Sequence, residues 1–359
     1  MRAMIAMSGG VDSSVAALLM KEAGYECTGV TMRLYRESGY PTGCEKSCCS
    51  DADEEYAALV CWQLGIAHES ICFSKSFEQA VIRRFIREYE AGRTPNPCID
   101  CNRYLKFDAL LEQVKKAGYD ILATGHYARI VYSKELRRWQ LFKAVDEKKD
   151  QSYVLYMLTQ EQLRYLRFPL GALHKREARQ LAQTHKLVNA EKRDSQDICF
   201  IPDGDYAGFI RRRTGKTYPA GDILDQSGSI VGRHQGLLCY TLGQRRGIGV
   251  AAGEPVYVIG KDCESNTLMI GPDSALYRRE FLARDFNWLS IPKPDVPIRA
   301  FARTRYHQRE ATCTVYPLSG DEVRIIFDEP QRAVTPGQAA VLYQGELVLG
   351  GGTICAVSD

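Results

Sequence analysis

One short stretch, Ser8-Gly9-Gly10-Val11-Asp12-Ser13-Ser14, constrains this chain more than any other. It follows the apolar residues 4–7 and precedes Val15, Leu18 and Leu19, which are spaced for one face of a helix. The order strand, glycine turn, helix brings consecutive backbone N–H groups and hydroxyls to a helix N-terminus, where the dipole favours an anion. Gly9 and Gly10 permit close backbone approach and positive φ, and Asp12 is placed to hold a magnesium ion that bridges phosphate oxygens. A simple capped turn would need neither three hydroxyls nor the carboxylate. No lysine follows the glycines as G-x-x-x-x-G-K-S/T requires, so this is not a Walker loop. Gly215-Lys216-Thr217 fails the same test, because Ile210 stands where the first glycine belongs; it reads as a surface turn.

Residues 27–32, 69–73 and 120–124 read as further strands, and 51–64, 77–90 and 103–116 as helices. In the first of these helices Ala57, Val60, Cys61 and Leu64 share a stripe. The alternation predicts a doubly wound parallel sheet with ligands bound outside the carboxyl ends of its strands, where the glycine loop, Met32, Gly125 and His126 all fall. After about residue 200 the pattern changes to short β-type runs at 256–259, 268–270, 298–303, 311–316, 322–327 and 339–342, as in an antiparallel barrel or sandwich. Between them, residues 206–253 are rich in Gly and Arg and resemble neither neighbour. The expected class is therefore α/β + β, with an N-terminal domain over 1–203, a small central domain over 204–277 and a C-terminal β-barrel over 278–359.

At 359 residues, 45% hydrophobic and 25% charged, the chain can fill two or three cores. A net charge of +3 is too small for a polyanion binder that acts through bulk charge. Any nucleic-acid surface must be local. No apolar run reaches a membrane span, and residues 4–7 enter a polar turn, unlike a secretory signal, so a soluble cytoplasmic protein is expected. With 13 cysteines in such a chain, reduced thiols, metal ligands or redox chemistry are expected over a disulfide scaffold.

The cysteines separate by context. Cys27, Cys61, Cys72, Cys239, Cys313 and Cys355 occupy strand- or helix-periodic positions and read as small core residues. Cys98 and Cys101 form a C-x-x-C in the loop Thr94-Pro95-Asn96-Pro97-Cys98-Ile99-Asp100-Cys101-Asn102, for which packing offers no reason. A helix expected from Arg103 would set Cys101 in a field that lowers a thiol pKa, which makes it a candidate nucleophile. Cys199 lies in Arg193-Asp194-Ser195-Gln196-Asp197-Ile198-Cys199-Phe200, a loop entering structure. Cys44, Cys48 and Cys49 form a further group without a matching His; free thiols are the default there, ahead of half a zinc site.

The glycine loop resembles the SGGxDS motif of ATP pyrophosphatases, which transfer AMP to a carbonyl oxygen and release pyrophosphate. That likeness implies adenylation, and the nucleophile must select the branch. Taken in order, SGGVDSS, AGRTPNPCIDCN, ATGHYAR, KDQSYVLY, RDSQDICFIP, HQGLLCYTLGQRRGIG, RTRYH and FDEPQRAVTPGQAAVLY resemble the tRNA-specific 2-thiouridylase family over nearly the whole chain. The resemblance implies an adenine nucleotide alpha hydrolase-like domain that replaces the C2 oxygen of the wobble uridine with sulfur. In its terms Ala6, Met7, Ser8, Gly9, Gly10, Val11, Asp12, Ser13, Met32 and Gly125 would hold ATP with Mg2+. Cys199 would carry the incoming persulfide sulfur and Cys101 would be its catalytic partner, the two forming a disulfide when sulfur leaves. Asn96, Pro97 and Cys98 would meet the target base, and His126, Lys149, Asp150, Gln151, Arg305, Tyr306 and Gln338 would contact tRNA. The partners implied are tRNA and a persulfide or sulfide donor such as a cysteine desulfurase or sulfur relay protein.

Many members of the family carry Asp where this chain has Cys98, an Asp assigned as general acid or base, and a thiol does not take over that role unchanged. Two arrangements follow. Either Cys98 is a spectator or resolving thiol, or Cys98, Cys101 and Cys199 are three ligands of a 4Fe–4S cluster with one iron open to sulfide. Outside the N-terminal domain, Arg211 to Arg213, Arg245 with Arg246, Arg278 with Arg279, and Arg303 with Arg305 form basic clusters that together favour RNA, with Tyr240, Tyr306 and His307 as stacking candidates. The competing enzyme reading is another adenylating ligase, such as an argininosuccinate synthetase, with incidental cysteines. The non-enzyme reading is an RNA-binding or iron-storage protein on a degenerate nucleotide fold.

Overall fold

The computed structural model describes residues 1–34, 51–194, 198–251 and 253–358. Cys44, Cys48 and Cys49 lie outside the described residues, as do 195–197 of the segment before Cys199.

Strand β1 (Arg2–Ala6) is buried at its three central residues and runs into the glycine loop, which opens helix α1 (Val11–Glu22). β2 (Glu26–Arg33), helix α2 (Asp51–Gln63), β3 (Ala67–Cys72) and β4 (Ile121–Ala123) follow. Farther along lie a hairpin of β5 (Arg129–Ser133) and β6 (Arg138–Phe142), and the short β7 (Leu166–Arg167). The sheet order is β3-β2-β1-β4-β7, with parallel pairing throughout. Chain order reverses between β1 and β4, which opens a crevice at their carboxyl ends. The glycine loop and Gly125 flank that crevice.

Two helical runs each contain a π-wound segment. The run from Ser74–Phe77 through Glu78–Ile82 to Arg83–Glu90 is π-wound in its middle part. The run from Pro97–Asp100 through Cys101–Ala109 to Leu110–Lys116 is likewise π-wound in its middle part, Cys101–Ala109. Such widened turns gather at functional positions.

A central unit holds the helix Tyr206–Thr214 and the strands β8 (Gly221–Leu224), β9 (Ile230–His234), β10 (Tyr257–Asp262) and β11 (Thr267–Gly271), ordered β10-β11-β8-β9. The last unit comprises β12 (Tyr277–Trp288), β13 (Ile298–Arg303), β14 (Ala311–Pro317), β15 (Val323–Arg332), β16 (Ala339–Gln344) and β17 (Leu347–Ser358). Antiparallel pairing of β12 with β17 closes these six into a barrel around Phe281, Val315, Ile325, Leu342 and Ile354. The β5–β6 hairpin of the N-terminal domain attaches to its rim through Leu347 opposite Phe142 and Val348 opposite Leu141. Short alternating runs in the sequence marked the barrel, and the hairpin went unmarked because its pairing partner lies some 200 residues away.

Two expectations need correction. Cys72 is exposed beside Ser74 Oγ at 3.2 Å, whereas Cys61 and Cys313 are buried, with burial pushing both thiols to about 12. Tyr240 is only 4% exposed, packed into the central unit, where it cannot stack on a base. Gly215 caps its helix in a left-handed turn and Lys216 pairs with Glu90, as a surface turn would. Among the described residues no helix is long and apolar enough to cross a membrane.

Candidate functional site

Ser8 is exposed and Gly9 adopts φ +71°, so the chain reverses into α1 without a Cβ, which would sit 2.2 Å from the Asp53 carbonyl oxygen. Ser13 Oγ accepts from Ser8 N at 3.2 Å, and Ser13 and Ser14 both donate to the Gly10 carbonyl, at 2.9 and 3.0 Å. Two of the three hydroxyls thus shape the loop. Ala6, Met7 and Val11 turn their side chains to the interior, so their backbones are what a nucleotide would meet. Met32 is buried at the end of β2, one strand over. A Cβ on Gly125 would lie 2.8 Å from the Asp12 carbonyl carbon and the Ser13 nitrogen, so the end of β4 abuts the first turn of α1.

Side chains from far along the sequence complete this loop. Asn189, 2% exposed, donates 2.9 Å bonds to the Gly9 carbonyl and to Ser14 Oγ. Lys192 donates to the same carbonyl at 3.2 Å and to Asp53. Tyr127 donates to Asp12 Oδ1 at 2.8 Å; burial, then the Asp12 charge beside it, hold the phenol far above its usual range. Lys175 donates to both Asp12 oxygens at 2.7 Å and contacts Asp194 Oδ1 at 2.9 Å. Asp194 also accepts from Lys149 at 2.7 Å and Arg179 at 2.8 Å. Burial alone would raise the Asp194 carboxyl, but the bonds from Lys149 and Lys175 outweigh it and hold the group at about 2.

The magnesium expectation fits this geometry in one respect. A phosphate-bound magnesium needs only one or two protein carboxylates. Asp12 keeps a third of its side chain exposed beside the loop, with oxygens that accept from Lys175 and Tyr127. When bound there, the ion would neutralise charge on phosphate oxygens.

The helix carrying the C-x-x-C motif begins at Pro97, capped by the Asn96 side chain accepting from Cys98 N at 3.1 Å. Cys98, rather than Cys101, therefore occupies the first turn, because Pro97 supplies the fixed φ of a first helical position. Cys101 is 8% exposed and opens the π-wound segment; Cys98 is exposed. Next to Cys101, the buried Asn102 donates to Val154 O at 3.2 Å, which ties this helix to the 149–154 segment. Asp100 faces Arg84 at 3.3 Å, yet burial pushes its carboxyl to about 6.

Cys199 is half-buried and packs against the same apolar cluster that contains Cys101. Its neighbour Phe200 is held edge-on against Phe77 and Phe85, with centroids at 5.6 and 5.4 Å, and tilted against Phe209 at 5.3 Å. Among the described residues no three His, Cys, Asp or Glu side chains are grouped to hold a metal ion.

Of the residues expected at tRNA, Tyr306 and Gln338 reach from the C-terminal unit to the N-terminal domain. Gln338 donates to Thr94 O at 2.5 Å. Tyr306 donates to Asp150 O at 3.2 Å; burial, then Asp150 and the nearby Cys98, push its phenol to about 12. Asp150 is buried and takes bonds from Ala144 N, Ser152 and Arg303. Gln151 accepts from Tyr127 N at 3.0 Å. Lys149 is occupied with Asp194. His126 is buried between Phe107 and Phe168, with Nδ1 2.7 Å from Thr124 Oγ1, and burial holds it neutral well below its usual pKa. Arg305 Nη2 donates to Leu242 O, Ala333 O and Thr335 Oγ1 within 3.2 Å, bracing the central unit against the barrel. Arg303 pairs with Asp150 and Glu310, Arg213 with Glu78, and Arg279 donates to backbone carbonyls. Of the basic clusters, Arg245 and Arg246 stand exposed on the central unit, and His307 is exposed beside Tyr306.

Sequence reasoning named neither Lys175, Asn189 nor Asn102 as site residues. Lys175 is the first residue of a helix and 163 positions from Asp12, and no local spacing links them.

Comparison with known proteins agrees along the whole chain. Family profiles match for the tRNA methyl transferase HUP domain over residues 1–203, the tRNA methyl transferase PRC-barrel domain over 207–272 and the aminomethyltransferase beta-barrel domain over 278–354. Proteins named tRNA-specific 2-thiouridylase MnmA are similar over nearly their full lengths. That of Acetivibrio thermocellus is 45% identical across 98% of this chain and 99% of its own. That of Symbiobacterium thermophilum is 48% identical across 98% and 92%, and that of Moorella thermoacetica 48% across 99% and 100%. With a nucleotide-type loop at the sheet's switch point and relatives of this closeness over nearly the full length, the chain belongs to the tRNA-specific 2-thiouridylase MnmA family.

Proposed function

We propose that this enzyme uses Mg-ATP to replace the C2 oxygen of the wobble uridine of tRNA with sulfur. The observation that carries the reading is the ionic chain Asp12–Lys175–Asp194, which joins the phosphate loop to the stretch leading into Cys199. A ligase with incidental cysteines has no need of such a connection.

The C2 oxygen attacks the α-phosphorus of ATP and pyrophosphate leaves. AMP then makes the oxygen a good leaving group, which an amide-type oxygen is not. The terminal sulfur of a Cys199 persulfide attacks C2 and AMP departs with the oxygen. Cys101 thiolate then attacks Cys199 Sγ, which breaks the bond to the transferred sulfur and leaves 2-thiouridine and a Cys101–Cys199 disulfide. A thiol reductant resets the pair. The backbone of residues 8–13 with Gly125 and Met32 supports the nucleotide in this reading, and the 1–203, 204–277 and 278–359 units act as adenylation domain, central RNA-binding module and barrel.

In this reading Asn96, Pro97 and Cys98, the cap and first turn of the C-x-x-C helix, meet the flipped base, with Tyr306 and Gln338 of the C-terminal unit reaching toward the same side. His126, Asp150 and Arg305 support that surface from beneath, since their polar groups are already engaged inside it. The test is tRNA thiolation with Cys199→Ser and Cys101→Ser in anaerobically prepared protein, with iron and sulfide determined on the same sample. Both variants should lose 2-thiouridine formation, in protein free of iron. Iron-dependent activity would replace the persulfide with the cluster.

A further inference from the structure

The phosphate loop lacks a lysine of its own, and one reaches it from the other side of the domain. Lys175 is 9% exposed and opens the helix Lys175–Thr184, which packs on α1. Its ammonium serves two carboxylates at once: both oxygens of Asp12 and one of Asp194. An ammonium has three protons, so those contacts use its full capacity. The neighbouring cation, Lys192, is committed to Asp53 and the Gly9 carbonyl and supports the loop's shape.

This pairing competes with the bound state of the proposed function, on which the inference rests. A magnesium ion at Asp12 must share oxygens that now face an ammonium. A triphosphate in the loop offers that ammonium several anionic oxygens, for which a lysine on a flexible stem is well suited. We propose that Lys175 is the phosphate-binding lysine of this loop, and that Mg-ATP draws it off Asp12 and Asp194. The exchange weakens the anchor on the N-terminal side of Cys199. Asp194 retains Lys149 and Arg179, so the anchor loosens without being lost. On the C-terminal side Phe200 is fixed by apolar ring contacts that carry no charge. The cysteine that carries sulfur is thereby eased on one side only when ATP is present to activate the uridine.

The experiment measures tRNA-dependent AMP formation against ATP concentration for the full-length wild type, Lys175→Met, Lys175→Arg and Asp194→Asn. In parallel, peptide-resolved iodoacetamide labelling of Cys199 is followed with and without magnesium and the α,β-methylene analogue of ATP. Lys175→Met should raise KM for ATP by about tenfold or more, the size of a charge-assisted phosphate contact, and Lys175→Arg should recover part of it. The analogue should speed Cys199 labelling in the wild type and leave it unchanged in Lys175→Met. Asp194→Asn should keep KM for ATP near wild type while its labelling no longer responds to nucleotide. Should Lys175→Met fail to fold, the Asp194→Asn labelling decides. A wild-type KM in Lys175→Met, or labelling in Asp194→Asn that responds as in the wild type, overturns the inference. A wild type that makes no AMP with tRNA overturns the function beneath it instead.

Discussion

Gly125→Ala tests how tightly the end of β4 holds the phosphate loop. The added Cβ would lie 2.8 Å from Asp12 C and Ser13 N and 3.0 Å from Asp12 O. Ordinary contacts lie near about 3.5 Å, so the two backbones must part by about 0.7 Å. Neither side can yield by rotating a side chain, because the clash is with the first turn of α1 and Gly125 follows a fully buried strand. Overpacking of this kind costs about 1–3 kcal/mol, which a chain of this size survives. The functional cost should be larger, since a displacement near 1 Å at a reacting centre can remove about 10²-fold of rate. Steady-state AMP formation against ATP, beside thermal unfolding of the same samples, separates the two. The expected result is a folded variant with kcat/KM for ATP reduced between about 10- and 100-fold. A folded variant within twofold of wild type would refute the claim that this contact sets the loop.

Two more outcomes follow from the geometry. The Asp100 carboxyl sits at about 6 in the folded chain against an ordinary 3.8, so the folded state holds the proton more firmly between those values. Stability should therefore fall by about 3 kcal/mol as pH rises from 4 to 6 and then level off, and Asp100→Asn should flatten that part of a urea-denaturation profile; equal slopes would contradict the assignment. Arg305 spends its guanidinium on Leu242 O, Ala333 O and Thr335 Oγ1, so Arg305→Ala should cost about 2–4 kcal/mol of stability and leave the salt dependence of tRNA binding unchanged. A slope reduced by about one, with stability intact, would make it a phosphate contact.

The parts of this site that local chemistry dictates were readable before any coordinates. A glycine-serine turn between an apolar run and a helical stripe can be little else, and two cysteines in a proline-asparagine loop stand out by context, although the structure packs Cys101 into an apolar cluster and leaves Cys98 exposed. What could not be read is what tertiary structure supplies. The helix of the C-x-x-C motif starts at Pro97 because Asn96 caps it, which shifts the first turn from the residues after Cys101 to Cys98. Arg303 and Arg305 look like RNA contacts in sequence and turn out to be engaged with Asp150, Glu310 and backbone carbonyls. Tyr240, equally suggestive, is interior. Lys175 carries no local mark, since it caps nothing unusual and its carboxylate partners come from two other parts of the chain.

The most direct measurement is the product of one turnover by Cys199→Ser with ATP, tRNA and a sulfur donor, analysed for AMP and for 2-thiouridine in the same reaction. Activation and sulfur delivery are separate steps here, so the variant should still form AMP in a tRNA-dependent reaction and should yield no 2-thiouridine. If Cys199→Ser produces 2-thiouridine at the wild-type level, sulfur does not travel through Cys199 and the account of this site is wrong.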